Sequence, residues 1–272
     1  MSFFQNVLRI LDAQMTRPGS YGWFHILWFV ASILAGVVLC ITHKKGDDKR
    51  VRKVVLITAI IVTVLEIYKQ INYSFSYENG IEFNYQWYIF PWQFCSTPMY
   101  VGLLAGLTKK GYVHRAASAY LATFAFFAGA AVMIYPNDVF VGTIGINIQT
   151  MVCHGSMITI AVYLLYTGYV KANWKSLLQA MSVFAVTVGI AMILNEVAHA
   201  TGITKDHFFN MFYISPHCDP HLPIYSDVQR AVPYPLSLII YIVGFTAASG
   251  VILLVTRGIQ ILSTKLRKKA TV

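Results

Sequence analysis

The sequence predicts an all-α polytopic membrane protein with about seven transmembrane helices. Several uninterrupted apolar runs are long enough to cross about 30 Å of hydrocarbon as helices. The composition agrees, because 57% of the 272 residues are hydrophobic and only 12% are charged. The predicted organisation is an amphipathic interfacial helix at 1–20, a single seven-helix transmembrane domain at 21–256 and a basic cytoplasmic tail at 257–272.

The N-terminal segment has the pattern of a helix that lies on the membrane surface. Its apolar residues recur at helical spacing, with polar residues between them. These apolar positions are Phe3, Phe4, Val7, Leu8 and Leu11. Charged residues interrupt the first 20 positions, so we expect no cleavable signal peptide. The first span is then expected to target the chain to the cell membrane as a multi-pass protein.

Seven apolar segments follow, each bounded by charge, proline or turn residues. All of them are long enough for one crossing of the bilayer. The predicted spans are 21–42, 54–75, 90–107, 116–135, 148–169, 177–199 and 235–256.

The basic residues predict the orientation of these spans. Sixteen of the 21 Lys and Arg residues fall in the loops at 43–53, 108–115 and 170–176 or after residue 256. Because basic loops stay in the cytoplasm, the N-terminus should lie outside and the C-terminus inside. The net charge of +10 then reflects loops beside anionic lipid, and no nucleic-acid partner is predicted.

The segment 90–98 opens the predicted third span with a thiol, an amide and two prolines. Pro91 suits a first helical turn, whereas Pro98 removes a hydrogen bond and predicts a kink. Gln93 and Cys95 lie about 200° apart around a helix, so both cannot face the bundle centre. We expect Cys95 to face it.

Polar residues within the spans are concentrated towards the predicted outer side, while the inner halves are nearly all apolar. Polar groups in hydrocarbon are unfavourable unless they face protein or water. This distribution predicts a polar cup that opens to the outer face. Its candidate residues are His25, Glu66, Gln93, Cys95, Asn147, His154, Asn195, Glu196 and His199.

A thiol and an imidazole in one cup favour nucleophilic chemistry. His154 would act as the base for Cys95, and Glu66, Asn147 or Glu196 would orient the imidazole. The remaining candidates would bind or orient a substrate. Taken singly, a buried Cys or His is more often a packing residue, and Glu66 with its neighbour Lys69 is often a structural ion pair. Only the clustering favours a site.

No metal or cofactor site is predicted. His217, Cys218 and His221 do not have a usual zinc-ligand spacing, and the nearby prolines favour a turn. The four cysteines match no zinc or redox motif.

Five short motifs together resemble the YwaF and transmembrane protein 164 family over most of residues 21–256. They are Gly22-Trp23-Phe24-His25, the run from Phe90 to Ser96, Ile134-Tyr135-Pro136, His154-Gly155 and Asn210-Met211-Phe212 followed by a proline. The resemblance implies a membrane enzyme, since the animal branch is described as a cysteine-dependent acyltransferase on lysophospholipids. Distant relatives hydrolyse lipid esters with a Thr and a His.

Carried over residue by residue, the resemblance points to Cys95 or its surroundings as nucleophile and His154 as partner. Two departures leave the identity of the nucleophile open. Bacterial relatives usually have His at the position of Gln93, and the animal cysteine can be aligned nearer Trp92, so Ser96 and Thr97 are alternatives.

The sequence leaves two functions to consider. One is a lipid acyltransferase or lipid-ester hydrolase with membrane lipids as partners. The other is a non-catalytic protein that binds or transports a small polar or cationic ligand. The sequence specifies no oligomeric state.

Overall fold

We describe a computed structural model of the chain, covering residues 2–44, 47–78, 80–136, 139–219 and 222–270. Lys45, His221 and Pro220, which entered the sequence analysis, lie outside these residues. The described part is mainly helical, with one β-hairpin whose two strands have two residues each. The elements are α1 Phe3–Leu11, α2 Trp23–Ile41, α3 Asp48–Ser74, β1 Phe75–Ser76, β2 Glu82–Phe83, α4 Thr97–Leu107, α5 Tyr112–Ala122, α6 Phe124–Ile134, α7 Ile144–Tyr166, α8 Trp174–Ala200, α9 Ile203–Asp206, α10 Tyr225–Ala231 and α11 Tyr234–Ala270.

The predicted fold class is confirmed, because six helical segments are long and apolar enough to cross a membrane. They are α2, α3, the α5–α6 pair, α7, α8 and α11. The pair counts as one segment because only Thr123 interrupts it, with φ −127° and ψ −77°. Its side-chain hydroxyl donates to the carbonyl of Ala119 at 2.7 Å, which stabilises the bend.

The third predicted span differs from expectation. Only Thr97–Leu107 is helical, and these 11 residues extend about 17 Å, roughly half of the hydrocarbon thickness. Residues 90–96 form a series of tight turns instead, in which Trp92 N–H donates to the carbonyl of Phe90. Two prolines account for this, since proline removes backbone donors and restricts the residue that precedes it. Irregular backbone at this depth is tolerated because it is surrounded by protein.

Helix α7 is central and packs against α2, α3, α5 and α6. Two of these contacts depend on glycines. A Cβ added at Gly129 on α6 would lie 2.6 Å from the carbonyl oxygen of His154, and Gly155 on α7 faces Ser32 of α2. Small residues allow the backbones to approach this closely, as is usual between membrane helices.

The chain termini are both helical where they are described. Helix α1 begins with a capping box between Ser2 and Gln5 and packs Leu8 against the protein, while Phe3 and Ile10 are exposed. At the other end, α11 continues through position 256 to Ala270, so residues 257–270 extend the last membrane helix.

Candidate functional site

The long loop after α8 folds back into the helix bundle. We call residues 209–215 the plug segment, and all of them except Tyr213 are fully or almost fully buried. Phe212 and Tyr213 have positive φ angles of 59° and 57°, which are uncommon for residues with large side chains. Tertiary contacts must therefore hold this backbone in place.

Two amide side chains from the predicted cup hold the plug segment. Gln93 Nε2 donates to the carbonyl of Asn210 at 3.0 Å, and its Oε1 accepts the N–H of Phe212 at 3.1 Å. Asn195 repeats this arrangement on Met211, donating to its carbonyl at 3.0 Å and accepting its N–H at 2.7 Å. Both side chains thus replace the partners that a buried loop backbone lacks. The plug segment occupies the space that the sequence analysis assigned to an open cup.

A buried ion pair lies next to the turns that precede α4. Glu66 on α3 accepts from Lys69 Nζ and from Gln70 Nε2, each at 2.8 Å. Gln149 on α7 approaches the second carboxylate oxygen at 3.5 Å. Outside the spans, burial and then the charge of Glu66 raise the pKa of Tyr85. The Tyr85 hydroxyl therefore stays protonated and donates to Gln70 Oε1 at 2.9 Å.

Cys95 lies in the last turn before α4, adjacent to the residue that caps this helix, Ser96. It is half-buried, and its thiol is close enough to Lys69, Glu66 and the Ser96 hydroxyl to interact with each. The carbonyl of Cys95 accepts a weak hydrogen bond from the thiol of Cys153 on α7 at 3.7 Å. Helix α7 therefore meets this turn at the residue directly before His154.

His154 is buried on α7, and its Nδ1 lies 2.7 Å from the carbonyl of Thr150 one turn earlier. A carbonyl can only accept, so Nδ1 carries the proton and Nε2 has a free lone pair in the neutral ring. Among the residues that the structure describes, no hydrogen bond joins His154 to Cys95. Both side chains lie within the range of the charge of Lys69.

Two further predicted residues hold loops at the far side of α7. His25 Nε2 lies 3.0 Å from the carbonyl of Met133 at the end of α6. The Asn147 amide accepts from the N–H of Val141 and donates to its carbonyl, both at 2.9 Å. These contacts leave neither side chain next to Cys95.

The last two predicted residues lie on the exposed outer end of α8. Glu196 pairs with His217 at 3.1 Å, and the ring of His199 stacks on that of His217 at 3.6 Å between centroids. This group connects α8 to the loop that follows the plug segment. The predicted residues thus divide into four groups, and only Glu66, Cys95 and His154 lie around one point.

Sequence reasoning considered Lys69 only as a structural ion-pair partner of Glu66, and it assigned no role to Gln70, Gln149 and Cys153, which complete that group. A usable signal existed for two of them, since Lys69 and Gln70 follow Glu66 at helical spacings of three and four. No comparable pattern connects Gln149 or Cys153 to Glu66, because those contacts cross between helices. Within the described ranges no three His, Cys, Asp or Glu side chains are grouped so that they could hold a metal ion.

Comparison with protein-family models gives one match, to the family described as the TMEM164 family, and it covers residues 20–256. Neither the curated proteins nor the solved structures include a significant match. The family match includes the first five membrane spans, the last one up to residue 256, the turns around Cys95 and the plug segment. The chain therefore belongs to the TMEM164 family.

Proposed function

We propose that the protein is a membrane enzyme that cleaves or transfers acyl esters of membrane lipids, with Cys95 as nucleophile and His154 as base. The observation that supports this most is the setting of Cys95. This partly buried residue lies in non-helical backbone at the N-terminal end of α4, within range of the charge of Lys69. Its carbonyl lies 3.7 Å from the thiol of Cys153, the residue directly before His154.

This setting suits a thiolate. The positive dipole end of α4 favours an anion there, although its first N–H groups are already paired: those of Thr97 and Met99 donate to the carbonyls of Gln93 and Ser96, and Pro98 has none. Lys69 adds a positive charge, which its ion pair with Glu66 partly offsets. Reactive cysteines typically occupy such electropositive, partly exposed positions, whereas structural cysteines are inert. Cys40 and Cys153 are buried in the hydrophobic core, as is typical of structural cysteines.

The tautomer of His154 fits the role of base. With Nδ1–H held by the carbonyl of Thr150, Nε2 is the free acceptor for a proton. A water molecule or a rotamer change must connect Nε2 to the Cys95 thiol, because the two make no direct hydrogen bond among the described residues. Catalytic hydrogen bonds are often long before substrate binds.

The reaction follows from these roles. His154 Nε2 takes the thiol proton, and the thiolate attacks the ester carbonyl of a glycerolipid. The C–O bond breaks, the lysolipid alcohol leaves with the proton from His154, and an acyl thioester remains on Cys95. Water or the hydroxyl of another lysolipid then attacks the thioester while His154 takes its proton. The C–S bond breaks, the fatty acid or the acylated lipid leaves, and His154 returns the proton to the Cys95 thiolate. Hydrolysis and acyl transfer differ only in this second acceptor.

The non-catalytic alternative has less support. A site for a small cation would need an unpaired carboxylate, but Glu66 is already neutralised by Lys69 and bonded to Gln70. The proposal places the protein in the cell membrane with membrane lipids as its partners. Basic loops beside anionic lipid account for its charge without nucleic acid.

An activity assay tests the proposal. Purified protein in nanodiscs that contain a fluorescent-acyl phospholipid should release labelled fatty acid or pass it to added lysolipid. Cys95→Ser should abolish this activity, while the matched control Cys153→Ser, a change of the neighbouring buried thiol, should retain it. His154→Gln should lower the rate by about 10²–10⁴-fold. Activity that survives Cys95→Ser would transfer the role to Ser96 or Thr97, and a folded protein with no lipid turnover at all would reject the proposal.

A further inference from the structure

A basic groove lies at the opposite end of the bundle from Cys95. It is an open groove with a volume of about 510 Å³ between the α7–α8 turn and the C-terminal part of α11. Lys171 contributes from the turn, and Arg257 and Lys265 contribute from α11. The helix residues that line it recur at spacings of three, four and seven, so they form one face of α11.

The three cations of the groove have no acidic partner. Among the described contacts no side-chain hydrogen bond or ion pair involves Lys171, Arg257 or Lys265, and the residues that line the groove include no Asp or Glu. Three positive charges around one cavity repel one another unless an anion occupies it. Gln260 and Thr264 add hydrogen-bonding groups, and the cavity volume is within the usual range for ligand sites.

The position of the groove relative to the membrane indicates the source of that anion. Helix α7 ends at Tyr166 and α8 begins at Trp174, and both aromatic side chains are about two-thirds exposed. Exposed Tyr and Trp at helix ends mark the headgroup level of a bilayer. Gln260 Nε2 donates to the carbonyl of Leu165 at 3.4 Å, which sets this part of α11 at the same level.

The apolar surface beside the groove completes the match to a lipid. Ile261 lines it, and Leu254, two turns earlier on α11 towards the membrane, is exposed. A free phosphate ion would not cover this apolar surface, whereas the acyl chains of a phospholipid would. We infer that the groove binds the phosphate headgroup of an anionic phospholipid from the leaflet on the basic side of the bundle.

Lipid titration of the purified full-length chain tests this inference. Bound lipid is counted by native mass spectrometry as phosphatidylglycerol or phosphatidylcholine is added in detergent. The groove variant combines Lys171→Gln, Arg257→Gln and Lys265→Gln. The control variant combines Lys49→Gln, Lys109→Gln and Lys110→Gln, which removes the same charge from exposed positions on the same side.

We expect wild type and the control variant to prefer phosphatidylglycerol and the groove variant to lose that preference. One basic residue near the membrane surface contributes about fivefold in affinity, so three should contribute about a hundredfold. If the triple variant is not folded, Arg257→Gln alone should show about the fivefold effect. Equal losses in the two triple variants would mean diffuse attraction and overturn the site. Displacement of the lipid by millimolar inorganic phosphate would overturn the assignment to a lipid headgroup.

Discussion

Gln93 and Phe212 are joined by a hydrogen bond of 3.1 Å between the side-chain oxygen of one and the backbone N–H of the other. The two residues are 119 positions apart, and Phe212 has a left-handed backbone conformation. The contact therefore links the turns before α4, which carry Cys95, to the plug segment. Movement of the plug segment would therefore shift the chain at Gln93, two residues before the candidate nucleophile Cys95.

The first prediction concerns the second amide that holds the plug segment. Asn195→Leu keeps the number and branching of the side-chain heavy atoms but leaves the buried N–H and carbonyl of Met211 without partners. Each orphaned group costs about 1–3 kcal/mol, so we expect a loss of roughly 2–6 kcal/mol in the free energy of unfolding. Val197→Leu, an exposed change on the same helix, is the control and should have little effect. Thermal melts and limited proteolysis of the loop at 201–219 measure both. Unchanged proteolysis in Asn195→Leu would show that the amide does not hold the plug segment.

The second prediction concerns the contact between α6 and α7. Alanine at Gly129 would place a methyl group 2.6 Å from the His154 carbonyl and 2.7 Å from Met157 Cβ. Both neighbours belong to a packed helix, so the helices must separate, and we expect destabilisation of about 1–3 kcal/mol. Gly189→Ala on α8 is the matched control, because no atom lies within 4 Å of the added methyl group. It should leave the melting temperature equal or higher, and the opposite order of the two variants would contradict the close packing.

Six of the predicted spans could be read from the sequence because hydrophobic length alone determines them. The third span could not be read in this way, because turns replace helix over most of the segment between Pro91 and Pro98. Inside a membrane only neighbouring protein can supply hydrogen-bond partners to such a backbone. The final helix was predicted to end near residue 256, yet no proline follows there and it continues to Ala270.

The candidate site was predicted less well than the fold. Depth along each helix predicts that Glu66, Cys95 and His154 lie on one side of the bundle. It also assigned Gln93 and Asn195 to a substrate, although their amides bind the plug segment. Gln93 binds a loop that lies more than 100 positions further along the chain. No local periodicity in the sequence indicates such a contact. The rotation of each helix about its own axis, which directs Asn147 and His25 away from Cys95, is likewise determined by packing between helices.

The third prediction concerns orientation. The distribution of basic residues predicts that the α4–α5 loop faces the cytoplasm and the loop after α8 faces outward. In a background with Cys218→Ala, a cysteine at the exposed position of Lys205 should react with a membrane-impermeant maleimide in intact cells. A cysteine at the exposed position of Lys109 should react only after permeabilisation. Reversed labelling would place Cys95 near the cytoplasmic leaflet and the basic groove on the outer one.

The fourth prediction concerns whether His154 activates Cys95, and its test does not depend on knowing the substrate. A lipid-like electrophile, such as an acyl chain that ends in a chloroacetamide, should label Cys95 in preference to Cys40 and Cys153. Those two thiols are buried in the core, whereas Cys95 lies at a helix N-terminus beside Lys69. Labelled sites are identified by mass spectrometry of the digested protein.

His154→Ala should then slow the labelling of Cys95 by roughly 10²–10⁴-fold, the effect of removing a positioned general base. The control is Glu196→Gln, since Glu196 pairs with His217 on the exposed rim and should leave the rate unchanged. Lys69→Met should also slow labelling, because it removes the positive charge nearest the thiol and leaves Glu66 unpaired. If Cys95 reacts equally fast in wild type and in folded His154→Ala, the thiol has another base or none. The imidazole would then be a packing residue held by Thr150.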